Sequence, residues 1–168
     1  ITIDGKTYPM EDCDFPTVDP ADPYALTPEE ERVIQQLTES FRHSEKLQKQ
    51  IRFLYSNGSL YKVHNGNLLF HGCIPMDENG ELLPFNIGGT VRSGRAFMDY
   101  ADRLARKAYY DKRGTPERRF GLDFMWWLWA GRNSPIYGRD RMTTFERRFI
   151  QDESTWVEPK NPYYAHYN

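Results

Sequence analysis

Apolar residues recur at helical spacing behind Thr27, at Val33, Leu37, Phe41, Leu47, Ile51 and Leu54. Thr27-Pro28-Glu29-Glu30 stands in front of them. It combines an N-cap hydroxyl, a proline at the first helical position and a glutamate placed to close a capping box. The pattern predicts one long helix from there to about Tyr55, ended by Asn57-Gly58. The period then changes from helical to alternating. Residues 59–64 and 67–71 flank Asn65-Gly66, a dipeptide suited to a type I′ turn because both central residues take positive φ. A two-residue loop sets the register. It places His64 opposite Asn67, Val63 opposite Leu68, Tyr61 opposite Phe70 and Leu60 opposite His71. Alternation puts Tyr61, Val63, Leu68 and Phe70 on one face, expected to be core, and Lys62, Leu69 and His71 on the other.

Around these two elements the signals are shorter. Residues 1–8 alternate about Asp4-Gly5 and read as a small hairpin, followed by a connecting segment rich in proline and acid. Residues 76–94 are polar and glycine-rich and read as a loop. Residues 95–110 predict an amphipathic helix with Phe97, Ala101, Leu104, Ala105 and Ala108 inward. Residues 122–130 are apolar on every side, which predicts a fully buried helix closed by Gly131. Thr143-Thr144-Phe145-Glu146 reads as a second capping box, opening a short helix to about Gln151. The result is a mixed α/β, helix-rich chain. Residues 1–23 form a hairpin and linker, and residues 24–168 a helix–hairpin–helices region.

Composition narrows the class. A length of 168 residues suffices for a core, and an aromatic content of 15% supplies large anchors for it. Cys13 and Cys73 lack metal or redox spacing and read as two reduced thiols of a cytoplasmic protein. No apolar run has the length of a membrane span. Charge is uneven: residues 1–91 carry 7 Lys/Arg against 14 Asp/Glu, and residues 92–148 carry 14 against 7. The basic half suits an anionic, phosphorylated ligand or complements the acidic half internally. Nucleic acid is not implied, because the net charge is −2 and no recognised module is present. The first residue, Ile1, and the closing aromatic run from Tyr163 suggest a piece of a longer chain.

Candidate chemistry centres on His71, which follows the apolar run Leu68-Leu69-Phe70 and precedes Gly72. A strand end of this kind delivers an imidazole into a site, and the glycine allows close backbone approach or unusual dihedrals. One histidine does not make a metal centre, and His43, His64 and His166 read as surface or turn residues. Arg132, Arg139 and Arg141 lie in a loop behind the apolar helix, an address suited to anions, with Asn133 beside them.

Several longer runs carry a resemblance. Ser44-Glu45-Lys46-Leu47-Gln48, residues 53–61, residues 67–75, Trp129-Ala130-Gly131-Arg132-Asn133-Ser134-Pro135 and Met142-Thr143-Thr144-Phe145-Glu146-Arg147 resemble class III bacterial fructose-1,6-bisphosphatases. The likeness runs from about Tyr24 to Tyr164. It implies a partial calcineurin-like metallophosphoesterase fold whose hairpin carries the His-Gly motif. It further implies hydrolysis of fructose 1,6-bisphosphate to fructose 6-phosphate, a dinuclear manganese centre, a water nucleophile and a cytoplasmic enzyme of gluconeogenesis. Of that superfamily's metal-binding motifs only the strand-end His-Gly occurs here, as His71-Gly72. The resemblance makes His71 a metal ligand and Arg132, Asn133 and Arg139 substrate contacts. It casts the chain as a central fragment, inactive alone and prone to self-association, with no membrane partner. The rival readings are a non-catalytic interaction domain and a protein or nucleotide phosphatase of the same superfamily.

Overall fold

Thr27 starts its helix as its side chain dictates. In the computed structural model, which describes residues 1–167, α1 spans Pro28–His43. The Thr27 hydroxyl accepts from the Glu30 amide at 3.3 Å, and the Glu30 carboxylate accepts from the Thr27 amide at 2.8 Å. The single helix expected to reach Tyr55 is two helices. Ser44 leaves helical geometry (ψ 102°), and α2 runs over Glu45–Asn57. The Ser44 hydroxyl accepts from the Leu47 amide at 3.3 Å. A serine followed by an acid offers the backbone an N-cap, and here that local option interrupts a periodicity that otherwise continues.

The chain divides into two compact units. The first comprises Ile1–Gly58 with Phe149–Gln151, the second Ser59–Arg148 with the segment from Asp152 onward. The first unit holds α1, α2 and the short hairpin of β1 (Thr2–Ile3) and β2 (Lys6–Thr7). That hairpin turns through Asp4 and Gly5, both at positive φ. Segment 149–151 joins this unit through a Glu11 amide bond to the Phe149 carbonyl at 2.8 Å and an edge-on contact between Phe15 and Phe149. Neither α1 nor α2 buries a residue; Phe41 and Phe53 are 65% and 70% exposed.

In the second unit, β3 (Tyr61–His64) and β4 (Asn67–Phe70) pair antiparallel, with His64 opposite Asn67 and Tyr61 opposite Phe70. Asn65 and Gly66 take φ of 49° and 76°, as the two-residue turn demands. The ladder stops at Tyr61–Phe70, so the anticipated pairing of Leu60 with His71 does not form. Residues 76–94, expected to be loop, contain a further hairpin, β5 (Phe85–Ile87) and β6 (Thr90–Arg92). Gly88-Gly89 turns it with both residues at positive φ. The strands are three residues long, too short for alternation to stand out.

The core lies between α3 (Gly94–Tyr110) and α4 (Pro116–Ala130). Phe97, Met98, Ala101, Leu104, Phe124 and Leu128 form it. Phe85 stacks on Phe97 at 4.1 Å, and Trp127 meets both rings edge-on. Ala105, expected inward, is only partly buried, and Met98 takes a core place instead. Gly121 lets the helices close together, since a Cβ there would stand 2.9 Å from the Ala108 nitrogen. Two expectations about burial fail. Helix α4 is not covered all round: Trp126 and Trp129 are 70% and 57% exposed, and Leu122 is also exposed. Nor is the whole Tyr61–Phe70 face core, although Tyr61 packs against the cluster. Val63 and Leu68 are exposed, and with Tyr61, Phe70, Ile74 and Met98 they line an apolar cleft of about 460 Å³. Apolar periodicity identifies a face that avoids water, but not whether this chain supplies its cover.

A short α5 (Thr144–Phe149), a 3-10 turn over Glu153–Trp156 and a final helical turn α6 (Tyr163–His166) complete the chain. The second capping box does not close. The Thr143 amide, which Glu146 was expected to accept from, instead donates to Glu158 Oε1 at 3.0 Å. The Thr143 hydroxyl also donates to Glu158, at 2.9 Å. A carboxylate fifteen residues downstream thus replaces the local one.

Candidate functional site

His71 is the first residue beyond β4, and its side chain is exposed. Behind it the chain runs close against the loop that follows α4. A Cβ on Gly72 would stand 2.5 Å from the Ile136 oxygen and nearer still to the Pro135 oxygen. Gly72 is absent from the positive-φ residues. Close approach, rather than an unusual dihedral, is therefore what requires glycine here. The Cys73 amide donates to the Pro135 carbonyl at 2.9 Å, and the Cys73 side chain is fully buried. Burial pushes the Cys73 thiol up to about 11, which makes it an inert packing group rather than a nucleophile.

The facing loop is held by Ser134. Its buried hydroxyl donates to the Leu128 carbonyl and accepts from the Ile136 amide at 3.2 Å. The residues expected to contact substrate lie along this loop, each with a partner inside the chain. Arg132 pairs with Asp140 while its side chain remains 74% exposed, so the pair is open to exchange with an external anion at low cost. Arg139 Nη1 is 2.6 Å from Glu158 Oε2. Asn133 takes a left-handed φ of 60°, and its Oδ1 accepts from Asn161 Nδ2 at 3.2 Å. Arg141 Nη2 lies 3.8 Å from Asp140 Oδ2.

Glu158 is held below the usual carboxylate range. The backbone bond from Thr143 contributes most; the Thr143 hydroxyl and Arg139 add to it, against partial burial. Arg139 is accordingly part of the scaffold. Two residues that sequence reasoning did not single out join the assembly. Asn161, 3% exposed, accepts from the Met76 amide at 3.1 Å, and its own amide donates to the Gly138 carbonyl at 2.9 Å. The Tyr164 hydroxyl donates to the Gly72 carbonyl at 2.9 Å. The aromatic run at residues 163–167 was the available signal for Tyr164. Asn161 had none.

A metal centre needs several ligands at one point. Among the described residues no three His, Cys, Asp or Glu side chains converge. The described side chains therefore do not by themselves make the dinuclear centre that the resemblance implies, and His71 offers a single imidazole. The arrangement can present one imidazole and one exchangeable guanidinium from two backbone segments locked together. Among the described residues, no helix is long and apolar enough to cross a membrane.

The His71-Gly72 turn is braced against an arginine-bearing loop, and sequence comparison shows which family carries these residues. Residues 1–168 match the Firmicute fructose-1,6-bisphosphatase family throughout, and the chain belongs to that family. It is 52% identical over 166 residues to the class 3 fructose-1,6-bisphosphatase of Clostridium novyi, covering 99% of this chain and 25% of the relative. The Clostridium tetani and Clostridium botulinum (strain Langeland) proteins of the same name are 50% and 47% identical, over 99% and 100% of this chain and again 25% of each. The chain thus spans about a quarter of the length of the curated relatives it matches. No solved structure matches it.

Proposed function

We propose that this chain forms part of a cytoplasmic enzyme that hydrolyses fructose 1,6-bisphosphate to fructose 6-phosphate and phosphate, within a calcineurin-like metallophosphoesterase fold. The observation that carries the reading is the placement of His71: an exposed imidazole at a strand end, on a turn whose backbone is pinned to the Arg132 loop. Identity of about half the residues to proteins named fructose-1,6-bisphosphatase supports the substrate. His71 supplies one imidazole, and Arg132 is the guanidinium free enough to leave Asp140 for a phosphate. Manganese is the metal this reading carries. The described residues do not make its site by themselves. The bare apolar faces support association of the chain with further copies of itself.

The test is His71→Ala in the intact protein, assayed for manganese-dependent phosphate release from fructose 1,6-bisphosphate. Loss of most turnover is expected, with folding unchanged because the side chain is exposed. Near-normal turnover refutes the assignment. A wild-type protein that binds partners yet releases no phosphate favours the interaction-domain reading instead.

A further inference from the structure

We infer that Asn161 and Tyr164 are positioning residues: they hold the His71-Gly72 turn against the loop after α4, and so aim the His71 imidazole. The inference deepens the reading of His71 above and rests on it.

The strand does not aim His71 by itself. The β3–β4 ladder ends one residue earlier, at Phe70, so β3 does not constrain the backbone at His71, and the nearest local tie beyond it is the Leu83 amide on the Pro75 carbonyl at 3.0 Å. What ties residues 72–76 to the facing loop comes from far along the sequence. The Gly72 carbonyl receives the Tyr164 hydroxyl at 2.9 Å, and the Met76 amide donates to Asn161 Oδ1 at 3.1 Å. With the Cys73 amide bonded to Pro135, three backbone groups of residues 72–76 are tied to distant segments.

The two side chains hold the facing loop as well. Asn161 Nδ2 donates to Asn133 Oδ1, and the Asn161 amide donates to the Gly138 carbonyl. Its Oδ1 also accepts from the Tyr163 amide at 3.0 Å, so both ends of the carboxamide are engaged while the residue is almost completely buried. The Tyr164 hydroxyl passes directly over Gly138, where a Cβ would stand 2.7 Å from it. The Tyr163 ring meets Phe70 edge-on at 5.8 Å. One short segment therefore binds both the turn carrying His71 and the loop carrying Arg132 and Asn133. Their relative placement depends on it, and catalytic geometry is sensitive to shifts well below the size of a side chain.

Two readouts on the intact protein separate positioning from general stability. The first is steady-state hydrolysis of fructose 1,6-bisphosphate. The second is alkylation of Cys73, located by peptide mass, with exposed Cys13 as internal reference. Tyr164→Phe keeps the ring and deletes only the hydroxyl. It is expected to lower kcat about tenfold or more with KM within about twofold, and to speed Cys73 alkylation, while the urea midpoint stays close to wild type. Asn161→Asp retains the acceptor for Met76 and Tyr163 but loses the donor to Asn133, and should fall between wild type and Asn161→Ala. A Tyr164→Phe protein with wild-type kcat overturns the inference, whatever its alkylation rate. A fall in kcat that only follows a fall in the urea midpoint overturns it too. If instead His71→Ala retains wild-type kcat, it is the role of His71 that fails.

Discussion

Gly72→Ala tests the closest backbone approach at the site. The added Cβ would lie 2.5 Å from the Ile136 oxygen, 2.9 Å from the Ile136 carbonyl carbon and nearer still to the Pro135 oxygen. All three are backbone atoms, so no rotamer change relieves the contact; the two segments must separate. Overpacking of this kind costs about 1–3 kcal/mol. Separation also stretches the bond from the Cys73 amide to Pro135, and an unsatisfied buried donor adds about 1–3 kcal/mol. A total of about 2–6 kcal/mol is expected on these two grounds. Urea unfolding followed by tryptophan fluorescence measures it. Trp126, Trp127, Trp129 and Trp156 all lie in the second unit, so the signal reports the unit that contains the site. Gly66→Ala is the control: its φ is 76°, but nothing lies within 4 Å of the added Cβ, so it carries backbone strain without collision. A Gly72→Ala protein within about 0.5 kcal/mol of wild type, the range of ordinary surface changes, would refute close approach as the reason for glycine.

Two further expectations concern the unit's pH response and the chain's assembly. Glu158 has a folded-state pKa below its ordinary value of 4.5, so its contribution is complete above that value and is lost as pH falls through the folded pKa. The urea midpoint of wild type should therefore exceed that of Glu158→Gln at pH 7, with the gap closing below about pH 4.5; a gap independent of pH would refute the role of the charge. The 168-residue chain, with Phe41, Phe53, Val63, Leu68, Trp126 and Trp129 exposed, should scatter light as a species heavier than 19.9 kDa whose mass rises with concentration. A monomer at every concentration counts against self-association.

The candidate site was half legible. The register up to Tyr61–Phe70 was legible, because a two-residue turn ties register to sequence position, but His71, expected to pair with Leu60, lies one residue beyond the strand. The need for glycine at position 72 was legible too, but two reasons for it stood open, and only the facing Pro135-Ile136 backbone selects close approach. The arginines were read together only as residues of a loop suited to anions; their ion pairs distinguish them. Arg139 is held by Glu158 within the scaffold, and Arg132 by Asp140 at the surface. Residues 19 and 8 positions apart in sequence make those pairs, beyond the reach of any local pattern.

What the sequence by itself determined was local: the capping box at Thr27, the Asn65-Gly66 turn with its register, and the inward face of α3 at Phe97, Ala101, Leu104 and Ala108. Each follows from the geometry of a few neighbouring residues, which no distant contact changes. Tertiary structure decided the rest. It left Val63, Leu68 and one side of α4 bare, gave the Thr143 amide to Glu158 instead of Glu146, and set Asn161 and Tyr164 across the turn behind His71. The physical reason is common to all of these. A periodic pattern states which groups need burial or a hydrogen bond, while the group that satisfies the need is chosen by the folding of the whole chain.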